Sequence, residues 1–71
     1  MKVLVFYAGL LYDEIECMQH QYTHRLRDLP NGAYYRYEKP IAGFQWYRSD
    51  HTPLADEHVP KELLTLALLL T

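Results

Sequence analysis

Residues 28 to 49 read DLPNGAYYRYEKPIAGFQWYRS, and this stretch limits what the whole chain can become. DLPNG is a turn. The Asp28 carboxylate can accept bonds from backbone N–H groups, Pro30 fixes φ, and Asn31-Gly32 accepts positive φ. A strand should follow, and Ala33 to Tyr37 fits, with Ala33, Tyr35 and Tyr37 on one face and Tyr34 and Arg36 on the other. EKPIAG supplies a second turn. Phe44 to Ser49 is the partner strand, with Phe44, Trp46 and Arg48 opposite in sense to Gln45 and Tyr47. The expectation is a β-hairpin over 33–49.

Other segments must pack on that hairpin. Val3 to Tyr7 is a continuous β-branched and aromatic run, the pattern of a strand buried on both faces, and Gly9 weakens its continuation. Residues 11 to 29 carry two readings. Leu11, Ile15, Met18, Tyr22, Leu26 and Leu29 recur at helical spacing, and the acidic start Asp13, Glu14, Glu16 with His24, Arg25 and Arg27 near the end suits a helix dipole. Yet THRLRDLPNG also reads as a strand entering a turn. The spacing favours a helix from 12 to about 22, then an extended segment approaching the turn. SDHTPLADEH is a polar loop in which Thr52-Pro53 could begin one helical turn. PKELLTLALLL is helical by propensity, with Pro60 opening it and Glu62 near its positive end. Its leucines cover more than one stripe, so some stay exposed or a partner covers them. The fold class is α+β: one domain over 1–71, a short antiparallel sheet with the 33–49 hairpin, packed on a helix at about 60–70.

Seventy-one residues bound the function. A domain this small buries only about 60–65% of its unfolded surface and leaves little chain for a deep, water-excluding active site. The lone Cys17 forms no internal disulfide and fits a reducing cytoplasm. The opening MKVLVFYAGLLYDEIE has one Lys and an apolar run, but acidic residues and no small-x-small site follow, so it reads as a strand and not as a secretion signal. The run Leu63 to Leu70 is far shorter than the roughly 20 residues that span a bilayer. The expectation is a soluble protein without a membrane partner.

No catalytic signature is present. Cys17, His20 and His24, with Glu16 or His51 as a fourth ligand, are zinc-type residues, but only half of a knuckle pattern exists and Gln21 follows His20 where a metalloprotease needs Glu. Cys17 and His20 lack an orienting third group. The glycines at 9, 32 and 43 are too scattered to cradle phosphate. The reading is no enzyme, no cofactor and no metal.

Charge points to partners instead. Net charge is −2, with no global basic field. Residues 24–48 sum to +3 through Arg25, Arg27, Arg36, Lys39 and Arg48 against Asp28 and Glu38, between acidic flanks of −3 at 10–17 and −3 at 50–62. Tyr, Trp and Arg are the residues enriched at binding hot spots. Tyr34, Arg36, Tyr37, Lys39, Trp46 and Arg48 are therefore the candidate partner-binding residues, suited to an acidic protein. The alternative is a small RNA or single-stranded DNA binder that stacks bases on the aromatic hairpin, although no RNP-like string occurs and the flanks are acidic.

The segment WYRSDHTPLADEHVPKELLTLALLL, Trp46 to Leu70, resembles the tails of small bacteriophage host-takeover proteins, in which a W-Y-R-x-D strand end leads through T-P to V-P-K-E-L and a leucine helix. It covers roughly a third of the chain. Among them the chain is similar to the RNA-polymerase-binding antiterminators, such as that of a lytic Xanthomonas phage. The resemblance implies a protein of the host bacterial cytoplasm that binds host RNA polymerase near the RNA exit channel. Such a protein hinders host-sigma-dependent initiation and lets elongating polymerase read through intrinsic terminators. Contact with nascent RNA stays open, and the resemblance assigns no binding residues.

Overall fold

The computed structural model describes residues 2–16, 18, 26–39 and 43–70. Among the described residues five antiparallel strands form one sheet: β1 (Lys2–Tyr7), β2 (Leu10–Glu16), β3 (Tyr34–Lys39), β4 (Gly43–Arg48) and β5 (Pro53–Leu54), in spatial order β2-β1-β3-β4-β5. A 3-10 turn (Asp56–His58) and the helix α1 (Lys61–Leu70) follow. The expected α+β class and the C-terminal helix are borne out.

The expected 33–49 hairpin forms, with β3 and β4 paired antiparallel. Tyr34 pairs with Arg48, Tyr35 with Tyr47 and Arg36 with Trp46, and the Ser49 N–H donates to the Ala33 carbonyl at 2.8 Å. The turn before it closes through the Ala33 N–H on the Pro30 carbonyl at 3.1 Å, with Gly32 at φ +90. β1 lies inside the sheet with Val3, Leu4, Val5 and Phe6 all buried, as its unbroken apolar run requires. Its even residues Leu4 and Phe6 join Trp46, Leu54, Val59, Leu63 and Ala67 beneath α1. Its odd residues Val3 and Val5 join Ile15, Leu26 and Tyr35 on the opposite face, flanked by Leu29, Tyr37 and Tyr47. Alternation along one central strand thus feeds two apolar layers.

The helical expectation for 12 to about 22 is corrected over 12–16. That stretch is β2, paired with β1 from Glu16↔Lys2 to Leu10↔Tyr7. The register slips between Val5 (opposite Asp13) and Phe6 (opposite Leu11), so β2 carries an extra residue at Tyr12. A bulge breaks period-2 alternation, and Leu11 and Ile15 land on opposite faces despite their four-residue spacing. Residues 17 and 19–25, with Cys17, His20 and His24, lie outside the described residues. The extended approach to the turn is corrected over 26–28, where residues 27–28 form a turn with the Leu29 N–H on the Leu26 carbonyl at 3.4 Å; its earlier part lies outside the described residues.

Thr52-Pro53 does not start the helical turn. Pro53–Leu54 is the edge strand β5, and Ala55 and Asp56 carbonyls accept the His58 and Val59 N–H groups one step later. The short β5 is pinned by Gln45, whose amide donates to the Leu54 carbonyl at 2.9 Å. Pro60 then receives the first helical bond, from the Leu64 N–H at 3.2 Å. Among the described residues no helix is long and apolar enough to cross a membrane.

Candidate functional site

Strand alternation sends Tyr34 and Arg36 of β3, and Phe44, Trp46 and Arg48 of β4, to the face that carries α1. Four of the candidate residues, Tyr34, Arg36, Trp46 and Arg48, are therefore on one face. Their fates differ. Trp46 is only 3% exposed and packs on Phe6 with ring centroids 5.4 Å apart. It builds the core, and its indole faces are not open to a stacking base. Tyr34 is half-buried beside α1. Arg48 is exposed at the sheet end, where it lines a cleft of about 250 Å³ with Asn31, Tyr34 and Asp50.

Arg36 sits in the most constrained position. Its guanidinium carbon lies 3.8 Å from the Phe44 ring centroid and 5.7 Å from that of Trp46. Trp46 is its direct cross-strand partner and Phe44 its diagonal one, so the hairpin register creates this cationic stack. The Arg36 Nε is shielded from solvent and makes no hydrogen bond. Burial lowers the guanidinium pKa from its ordinary value, and the Asp56 carboxylate offsets that in part. Arg36, Trp46 and Asp56 line a cleft of about 220 Å³ whose far wall is Leu64 and Leu68 of α1. The cleft can hold a carboxylate and an apolar group side by side.

Tyr37 points to the opposite face. There Tyr35, Tyr47 and Tyr37 form a ladder with ring centroids 5.2 Å apart, and Tyr37 and Tyr47 share a hydroxyl hydrogen bond of 3.0 Å. Tyr35 shares a 2.7 Å bond with the His51 Nδ1. His51 holds the left-handed position, φ 68, of the four-residue β4–β5 loop, so the tyrosine anchors a strained corner. Lys39 ends β3 opposite Gly43.

Sequence alone did not single out Phe44, Asp56, Leu64 or Leu68. The diagonal of Phe44 on Arg36 and the i, i+4 pair Leu64/Leu68 were legible in principle. Asp56 reaches the cleft only through the β5 and 3-10 path. Leu68 and Leu69 are 72% and 79% exposed, which meets the expectation that α1 carries more leucine than this sheet covers. Among the described residues no group of three or more His, Cys, Asp or Glu could hold a metal ion. Compared with protein-family models, curated proteins and solved structures, the chain matches none.

Proposed function

We propose that this chain is a non-enzymatic phage protein that binds host bacterial RNA polymerase in the host cytoplasm, inhibits host-sigma-dependent initiation and promotes readthrough of intrinsic terminators. The observation that carries the reading is a surface. Exposed Leu68 lines one cleft with Arg36, whose guanidinium stacks on Phe44, and exposed Leu69 follows it on α1, both leucines within the 46–70 segment that resembles phage antiterminators. A small protein changes a large machine by binding one of its states better than another, and that needs a contact surface and no chemistry. Arg36 and Arg48 on one face suit an acidic partner. The burial of Trp46 disfavours the rival reading of an aromatic platform for RNA or single-stranded DNA.

The test is transcription with purified components. The expected result is co-elution of the protein with RNA polymerase, fewer host-sigma-dependent transcripts, and more product beyond an intrinsic terminator. Arg48→Glu should slow association and reduce its salt dependence. A protein that ignores polymerase but binds bare single-stranded RNA with a steep salt slope would overturn the reading in favour of the nucleic-acid binder.

A further inference from the structure

We infer that the cleft between Arg36 and the Leu64–Leu68 side of α1 docks an acidic segment of the partner protein, with one carboxylate on the guanidinium and a neighbouring apolar side chain between the two leucines. The inference rests on the reading that the chain acts by binding a protein, and it names the chemistry that the partner brings.

Three features converge in this cleft. Arg36 makes no direct ion pair among the described residues: its Nε has no hydrogen bond, and the Asp56 carboxylate of the same cleft acts on it only from beyond ion-pair distance. Its guanidinium is seated at 3.8 Å over Phe44, which restricts its orientation before any ligand arrives. A planar fork held in this way matches a carboxylate with two parallel bonds. The opposite wall is aliphatic, with Leu64 half-buried and Leu68 exposed. At about 220 Å³ the cleft has room for one side chain and one carboxylate.

Charge selects the class of partner. Asp56 lines the same cleft, and Asp50, Glu57 and Glu62 lie in the same acidic segment. A single carboxylate answers the one guanidinium. A string of phosphates would add repulsion from those carboxylates and meet no second cation among the residues that line the cleft, so a protein segment fits better than nucleic acid.

The minimal probe is N-acetyl-leucine, which carries one carboxylate and one isobutyl group, titrated into the full chain by NMR at constant ionic strength. The expected result is saturable shifts at the Arg36 Nε–H, the Trp46 indole and the Leu64 and Leu68 methyls. N-acetyl-leucinamide lacks the carboxylate and inorganic phosphate lacks the apolar group, so each should bind at least about fivefold more weakly. Arg36→Met keeps a long side chain over Phe44 and should lose the carboxylate preference. Leu68→Glu, at an exposed position, should lose binding while the fold persists. Shifts that map elsewhere, equal binding by Arg36→Met, or phosphate binding as well as N-acetyl-leucine would overturn the inference. Purified polymerase separates it from the functional reading. If polymerase binds wild type, Arg36→Met and Leu68→Glu equally, the docking chemistry fails and polymerase binding stands. If polymerase ignores wild type while the titration succeeds, the cleft stands and the polymerase reading fails.

Discussion

Arg36 combines a gain and a cost within one side chain. The cation over Phe44 is worth about 0.5–2 kcal/mol, depending on how dry the contact is. A buried donor without a partner, here Nε, costs about 1–3 kcal/mol. The two nearly cancel, so this arginine does little for the fold. Arg36→Met should leave stability unchanged or raise it by up to about 1 kcal/mol in urea unfolding. A clear loss would mean that the guanidinium is structural and that the cleft is only its seat. Asp50 gives a second prediction at this scale. Bonds from the Thr52 side chain and its N–H, the latter 3.0 Å from Oδ1, hold the Asp50 carboxyl below its ordinary value of 3.8. A carboxyl with a depressed folded pKa stabilises above its unfolded value, and that contribution is lost as pH falls through the folded one. Asp50→Asn should therefore flatten the acid limb of stability below about pH 4 and leave the slope near neutrality unchanged. An acid limb as steep as that of wild type would show that the Thr52 bonds do not persist in solution.

At the scale of elements, legibility followed local chemistry. The 33–49 hairpin was readable because alternation and two turn signals agree, and alternation also placed Tyr34, Arg36, Trp46 and Arg48 on one face. β2 was not readable as a strand. Its bulge at Tyr12 shifts the parity, so Leu11 and Ile15 take opposite faces and no single period-2 stripe runs along the strand. Its carboxylates, taken for a helix start, line an edge strand, where charge discourages pairing with other chains. The cleft was half readable. Its β3–β4 wall follows from cross-strand register, whereas Asp56, Leu64 and Leu68 arrive through tertiary packing. The β1–β2 turn adds a prediction. Tyr7 pairs with Leu10 across Ala8 at φ 54 and Gly9 at φ 77, a two-residue turn with both centres left-handed. Alanine pays about 1–2 kcal/mol there, and asparagine pays less. Ala8→Asn should raise stability by roughly 0.5–1 kcal/mol, measured as a higher urea midpoint at unchanged slope. A lower midpoint would mean that the turn is not of this type.

The whole molecule is thin. α1 and the 3-10 turn cap one face of a five-stranded sheet, and Leu26 and Leu29 pack on the other. A chain of this size holds only about 3–5 kcal/mol in reserve, so no buried leucine can be spared. Leu63 is 4% exposed beneath α1, against Phe6 and its neighbours. Leu63→Ala should cost about 2–4 kcal/mol, comparable to the full stability, and unfold a large fraction of the molecule at 25 °C. Leu69 is on the same helix but exposed, and Leu69→Lys should stay within about 0.5 kcal/mol of wild type. Circular dichroism and urea unfolding of the two variants decide the matter. Equal losses would mean that Leu69 is covered, by a second copy or by its own chain, and that the exposed leucine surface does not exist in solution. Unequal losses in the expected order would mean that folding does not require the outer leucines. A marginal domain that still carries Leu68 and Leu69 in water, with Leu68 in the cleft that Arg36 lines, then holds that surface for contact with another molecule.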